Sequence, residues 1–222
     1  MPRSATMQRN QGSAGMTNLT FYTNPMSRGR IIRWMLEELG EPYETVILDY
    51  GETGMKSPDY LAVNPMGKVP ALRHGEVVVT EAAAICAYLA DAYPEKGLAP
   101  PHGDPRRAPY YRWMFFAAGP VEAAVTNKSL GFESDKKQML GYGDYDDTMA
   151  ALEKAISTAP YICGDTFTAA DVYVGAQIGW GLMFKSMPAL PAFVEYAGRL
   201  QARDAYQRAT AIDDAAMPKQ EG

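Results

Sequence analysis

The chain has 222 residues, 47% of them hydrophobic, and a formal net charge of −5 at pH 7. That length and composition indicate a globular protein with one large core or two smaller ones. The scattered lysines and arginines exclude an electrostatic footprint for a nucleic-acid backbone, and no run approaches the ~18 consecutive apolar residues of a membrane span.

The two cysteines, Cys86 and Cys163, are separated by most of the chain. They form neither a CxxC pair nor a disulfide framework, which favours a reducing compartment. We therefore expect the cytoplasm. Residues 1–17 lack the apolar run of a secretory signal, and we interpret them as a disordered leader.

The first predicted elements are a strand, a helix and a second strand. A short β-prone run at 18–23 precedes the segment 28–40, whose apolar residues recur at helical spacing. Gly40 supplies a left-handed end to this helix, and a strand follows at 43–49. A strand, helix and strand in this order form a right-handed βαβ unit by default.

An antiparallel hairpin and a helix follow. The β-prone runs 68–73 and 76–80 flank the dipeptide His74-Gly75, which predicts the turn of the hairpin. A helix is predicted at about 81–93. Together these elements read βαβ and then ββα, which predicts an α/β domain with a small mixed sheet.

Pro70 raises a question because it lies just inside a predicted strand, where proline cannot donate to the sheet. A trans Val69-Pro70 bond, the commoner form, would make Pro70 simply the first residue of the strand. A cis bond would leave the N–H and C=O of Val69 without sheet partners. Those groups could then pair with an extended peptide.

The second half of the chain predicts an all-helical domain. We assign residues 18–94 to the first domain, 95–105 to a linker rich in proline and glycine, and 106–210 to the helical domain. Residues 211–222 offer little to bury, which predicts a flexible tail.

These features resemble the glutathione transferase superfamily. The resemblance covers roughly residues 18–205 and rests on "NPMGKVPAL", on "TEAAAI" and on "YICGDTFTAADVYVGAQIG". In the last motif Thr168 and Asp171 have the spacing of a capping box. The resemblance implies a thioredoxin-like N-terminal domain with a cis-proline, an all-α C-terminal bundle, and the serine-type branch that includes the theta and phi classes.

The resemblance also implies a glutathione site. Its matching residues are Lys56, Lys68, Val69, Pro70, Glu81 and Ala82. Val69 would pair with the cysteinyl backbone, and either lysine would bind the glycyl carboxylate unless both are merely solvated surface residues. Glu81 would hold the α-amino group, although a carboxylate is favoured at a helix start in any case. Ala82 stands where the family usually has serine, so a hydroxyl hydrogen bond is missing.

Four side chains are candidates to activate the glutathione thiol: Ser27, Tyr22, Thr23 and Asn24. Ser27 directly precedes the first helix and matches the serine of the implied branch. Tyr22 is second. Ser27 is also one of the best residues for a purely structural helix cap. No cysteine lies in this loop, which argues against chemistry through a mixed disulfide.

The resemblance implies a hydrophobic second substrate and a homodimer. Aromatic residues that could contact this electrophile are Tyr111, Phe115, Trp180 and Phe184, although such a stripe is more often core. No metal site can be assembled around His74 and His102. We therefore predict a detoxifying glutathione transferase that needs no metal; a glutathione-dependent peroxidase or disulfide reductase, or a non-catalytic scaffold, is the alternative.

Overall fold

The computed structural model describes residues 18–218. The expected leader, 1–17, and the last four residues of the expected tail lie outside this range. The described residues group into two units, one formed by 18–88 with 204–218 and the other by Leu89–Arg203.

The first unit contains a mixed four-stranded sheet, as predicted. Its strands are β1 (Leu19–Thr23), β2 (Glu44–Ile47), β3 (Ala71–His74) and β4 (Val77–Thr80), in the order β2-β1-β3-β4. Strand β1 pairs with β2 in parallel, and the other two pairings are antiparallel. The turn between β3 and β4 is Gly75-Glu76, one residue later than predicted.

The helices in chain order are α1 (Gly29–Leu39), α2 (Pro58–Leu61), α3 (Ala82–Ala92), α4 (Arg107–Phe116), α5 (Glu122–Ser129), α6 (Tyr145–Ile156), α7 (Ala169–Met183), α8 (Pro191–Gln201) and α9 (Asp204–Ala215). A π-helical turn over Ala117–Val121 joins α4 to α5. The thioredoxin-like domain and the helical second half predicted from the sequence are confirmed.

Helix α1 forms because its apolar residues recur on one face and are buried there. Ile32, Met35 and Leu36 are fully buried. Gly40 ends the helix in the left-handed conformation, with φ 70°, as predicted. Its amide donates to the carbonyl of Leu36 at 3.0 Å.

Helix α9 packs on α1 and belongs to the first unit. Residues 211–215, which the sequence places in a flexible tail, form its last turn. The tail prediction is wrong there because Asp213 is buried against α1, where the guanidinium of Arg33 donates to its carboxylate at 3.2 Å. This pair joins residues 180 positions apart, beyond the reach of local sequence patterns.

The second unit is helical and contains the predicted capping box at the start of α7. The buried carboxylate of Asp171 accepts hydrogen bonds from the amide of Thr168 and from the hydroxyl of Tyr196, both at 2.8 Å. Burial raises the pKa of this carboxyl above its ordinary value. Its contacts with three chain segments, including the amide of Ile162 at 2.8 Å, indicate a structural role.

Candidate functional site

The register of the sheet brings the predicted site segments to one edge. Ala71, the first residue of β3, pairs with Tyr22 near the end of β1 and with Thr80 at the end of β4. The loop after β1, the segment before β3 and the start of α3 therefore meet at this edge. These segments carry the predicted residues Ser27, Lys68, Val69, Pro70, Glu81 and Ala82.

Val69 presents a free backbone pair beside β3. The Val69-Pro70 peptide bond is cis. Within residues 18–218, neither the N–H nor the C=O of Val69 has a hydrogen-bond partner. An unpaired donor and acceptor on one residue can bind an extended peptide in the manner of an added strand.

Two side chains fix the peptide group that precedes Val69. The carbonyl oxygen of Lys68 accepts from the hydroxyl of Tyr60 at 2.6 Å and from the amide of Asn64 at 2.7 Å. Burial raises the pKa of Tyr60 to about 12, so its hydroxyl remains a donor at neutral pH. Because a trans peptide is planar, a fixed Lys68 carbonyl makes the Val69 N–H point the opposite way.

The sequence analysis assigned no role to Tyr60 or Asn64. Tyr60 lies in α2, a helix of four residues that is too short for an amphipathic period. A local signal for this helix exists, because Ser57 caps it and Pro58 occupies its first position. The hydroxyl oxygen of Ser57 accepts from the amide of Tyr60 at 3.3 Å.

The two predicted lysines differ in what they contact. The ammonium of Lys56 donates to the carbonyl of Met66 at 2.7 Å and so braces the loop before β3. The exposed ammonium of Lys68 has no partner in the described part of the chain. Lys68 is therefore the more available cation for a carboxylate.

Ser27 lies in a tight turn before α1. Its hydroxyl donates to the carbonyl of Asn24 at 2.7 Å and accepts from the amide of Gly29 at 2.9 Å. The carboxamide of Asn24 is also used, since it accepts from Met26 N–H and donates to the carbonyl of Leu48. In this arrangement the Ser27 hydroxyl stabilises the turn, and its proton must leave the carbonyl of Asn24 to reach a ligand.

Tyr22 and Thr23 lie on opposite faces of the end of β1. The ring of Tyr22 packs against Tyr60, with ring centroids 5.6 Å apart. Thr23 is fully buried, and its hydroxyl has no partner in the described residues. A Cβ at position 29 would lie 2.0 Å from that hydroxyl oxygen, so Gly29 is required for the close approach of α1.

The start of α3 is suited to an amino-acid head group. The carbonyl of Glu81 accepts the amide of Ile85 at 2.9 Å, which makes Glu81 the cap residue of the helix. The first amides of the helix lack intrahelical partners and favour an anion, which the helix dipole also attracts. Glu81 is exposed and has φ 67°, a conformation that is costly for a residue other than glycine. Ala82 is 8% exposed and supplies no hydroxyl.

The predicted electrophile residues lie in the second unit, on α4 and at the end of α7. Phe115 is 72% exposed and Phe184 71%, which is unusual for large apolar side chains. Trp180 is half-buried. The hydroxyl of Tyr111 accepts from the guanidinium of Arg107 at 2.7 Å. These aromatic surfaces are available to an apolar ligand.

Residues 18–218 contain no group of three or more His, Cys, Asp or Glu side chains that could hold a metal ion. Nor does any helix in this range have both the length and the apolar character to cross a membrane.

Comparisons with known proteins identify the family of this chain. Residues 26–92 match the family model "Glutathione S-transferase, N-terminal domain". The chain is 31% identical over 168 residues to glutathione S-transferase 1 of Dianthus caryophyllus, covering 70% of this chain and 74% of that protein.

Solved structures give the same result. A glutathione transferase from Methylococcus capsulatus has a TM-score of 0.75 and 28% identity, covering 89% of this chain and 99% of that one. A glutathione transferase homologue from Sulfitobacter, solved with bound glutathione, has a TM-score of 0.69 and 29% identity, covering 91% of this chain and 100% of that one.

Proposed function

The chain belongs to the glutathione S-transferase superfamily and is an enzyme that uses glutathione as its co-substrate, and from this premise we propose that it conjugates glutathione to small hydrophobic electrophiles. In this reaction the thiolate sulfur forms a bond to an electrophilic carbon. The leaving group departs with its electron pair, or the pair moves onto the electrophile when the reaction is an addition. The thiol proton passes to solvent.

The free backbone pair of Val69 is the observation that carries this proposal. We infer that it holds the cysteinyl residue of glutathione next to Pro70. Lys68 then binds the glycyl carboxylate, with Lys56 bracing the loop. At the other end, Glu81 binds the α-amino group and the first amides of α3 bind the γ-glutamyl carboxylate.

Ser27 is the proposed donor to the thiolate. Its hydroxyl would turn from the carbonyl of Asn24 toward the sulfur, while the start of α1 adds a favourable dipole. A free thiol has a pKa near ~8.5, and lowering it by two units requires about 2.7 kcal/mol of differential stabilisation. Tyr22 is the second candidate. Thr23 and Asn24 are less suited, because both are buried and Asn24 already uses its side chain.

Ala82 modifies this site. An alanine keeps the backbone amide as an anion donor but removes a hydroxyl hydrogen bond worth about 0.5–1.5 kcal/mol. We therefore propose weaker glutathione binding than a serine at this position would give. Ala82→Ser should tighten it.

We propose that the electrophile contacts Tyr111, Phe115, Trp180 and Phe184, whose exposed aromatic surface supports an apolar ligand. A cytoplasmic homodimer is the proposed assembly and location. The absence of a cysteine between residues 18 and 30 favours conjugation over disulfide chemistry at this site.

Calorimetric titration with glutathione, followed by assays with a model aryl halide and a hydroperoxide, tests the proposal. We expect binding, and turnover of the aryl halide that falls in Ser27→Ala and changes little in Tyr22→Phe. Turnover of the hydroperoxide alone would assign the chain to the reductive alternative. Unchanged turnover in Ser27→Ala would remove the assignment of Ser27.

A further inference from the structure

The guanidinium of Arg30 joins two parts of the first unit that are distant in sequence. Its Nε donates to the carbonyl of Pro25 at 2.6 Å, and its Nη2 donates to the carboxylate of Asp214 at 2.7 Å. Pro25 lies in the turn that carries Ser27, and Asp214 lies on α9. One side chain therefore connects the C-terminal helix to the loop after β1.

Helix α9 is a firm support for this contact. Arg33 and Asp213 form a buried ion pair at 3.2 Å, with side chains only 3% and 2% exposed. Arg208 pairs with Glu37 at 3.0 Å. Because Arg30, Arg33 and Glu37 are three and four positions apart, they lie on one face of α1.

On the side away from α9, the turn is held by the segment after β2. Its internal bonds join Ser27 to Asn24 and Met26 to Asn24. The Asn24 carboxamide donates to the carbonyl of Leu48 at 2.9 Å, and the hydroxyl of Tyr50 donates to the carbonyl of Met26 at 3.2 Å. Arg30 adds the tie to the carbonyl of Pro25, on the side of α9.

Arginine is suited to this double contact. Its planar fork presents N–H groups in fixed and different directions, so one side chain can donate to a carbonyl and to a carboxylate together. A lysine has one ammonium on a flexible stem and could not hold the same geometry. The side chain of Arg30 is 26% exposed, which leaves the contact partly shielded from water.

We propose that Arg30 is a positioning residue through which α9 sets the orientation of the Ser27 turn, an inference that rests on the proposed thiol activation at this turn. With Asp214 present, Arg30 holds the carbonyl of Pro25, and the Ser27 hydroxyl is kept close to its working position. Without Asp214, the guanidinium moves toward solvent and the turn relaxes. The thiolate then loses part of its stabilisation.

The test compares Asp214→Ala with Arg208→Ala. Both variants remove one exposed ion pair between α1 and α9, but only Asp214 supports the Arg30 contact with Pro25. The readouts are the pKa of bound glutathione, from thiolate absorbance against pH, and kcat/KM for an aryl halide. Asp214→Ala should raise this pKa and lower kcat/KM at pH 6.5 by about 2- to 5-fold, the range of an exposed ion pair.

Arg208→Ala should lower the thermal midpoint slightly and leave both readouts at the wild-type values. Arg30→Ala should lower kcat/KM by about 10-fold, and adding Asp214→Ala to it should cause no further loss, because the two act through one contact. Arg30→Lys should fall between wild type and Arg30→Ala.

Three results would overturn the role of Arg30: wild-type values in Asp214→Ala, equal shifts in Asp214→Ala and Arg208→Ala, or independent losses in the double variant. A wild-type protein that binds glutathione without lowering its thiol pKa would instead overturn the proposed activation itself. The wild-type titration therefore separates the two failures.

Discussion

The hydroxyl of Tyr60 donates a hydrogen bond of 2.6 Å to the carbonyl oxygen of Lys68, in the peptide group that also contains the N–H of Val69. Asn64 donates to the same oxygen at 2.7 Å. These two bonds inside the protein determine the direction of an amide that we assign to ligand binding. Tyr60 and Asn64, to which we assign no contact with glutathione, should therefore affect its affinity.

Tyr60→Phe should weaken glutathione binding about 5-fold, since one net hydrogen bond contributes about 1 kcal/mol. The bond from Asn64 remains, so kcat at saturating glutathione should change little. Calorimetry gives the dissociation constant. The matched control is Tyr43→Phe, because burial also raises the pKa of Tyr43 to about 12 and its hydroxyl contacts Glu37, away from Val69. Equal affinities in the two variants would contradict the role given to Tyr60.

Lys68→Ala should weaken glutathione binding by about 10-fold, the effect of a charge-assisted hydrogen bond of about 1.5 kcal/mol. A glutathione ester blocked at the glycyl carboxylate should bind the variant and the wild type equally. Lys56→Ala should have the smaller effect, because its ammonium already donates to Met66. If Lys56→Ala weakens glutathione binding more than Lys68→Ala does, Lys56 and not Lys68 binds the glycyl carboxylate.

Glu81→Gly should stabilise the protein and weaken glutathione binding together. Glycine adopts the φ of 67° at no steric cost. Removing the backbone strain of a left-handed residue should raise the free energy of unfolding by about 1 kcal/mol. Glu81→Ala keeps the strain and removes the same carboxylate, so it should lose affinity without gaining stability. Denaturant unfolding and calorimetry measure the two effects. Wild-type affinity in Glu81→Gly would show that the carboxylate does not bind the ligand.

The stability of the α9 contact should depend on pH through Asp213. Burial raises the pKa of this carboxyl above its ordinary value despite the lowering effect of Arg33. The folded protein therefore keeps this proton over a range in which the unfolded chain has lost it. The stabilisation is fully present below the unfolded pKa, about 3.9, and is lost as pH rises through the folded value.

As the pH rises from about 4, the free energy of unfolding of the wild type should accordingly fall relative to that of Asp213→Asn. Above the raised pKa the difference should become constant. Denaturant unfolding of both proteins at several pH values measures it. A wild type that gains stability over the variant across this range would refute the direction of the shift.

Local patterns in the sequence predicted the sheet and the first helix. The β-prone run at β1 and the Gly40 that ends α1 are both signals within a few residues. The capping box of α7 is of the same kind. Because such signals depend only on residues close in sequence, they can be recognised without the tertiary structure.

The supports of the site were not predictable in the same way. Tyr60 acts from a four-residue helix with no period. Arg30 reaches Asp214 across 184 positions. Arg33 and Asp213 are charged, and a charged residue is expected to be solvent-exposed; in the structure the two are buried together as a pair. Interactions between distant residues determine how the binding groups are held.

The pKa of the thiol of bound glutathione tests the central claim most directly, and thiolate absorbance against pH measures it. For the wild-type protein we predict a value about two units below the ~8.5 of a free thiol. In Ser27→Ala it should return toward the free value. A bound thiol that titrates like free glutathione in the wild type would contradict the account.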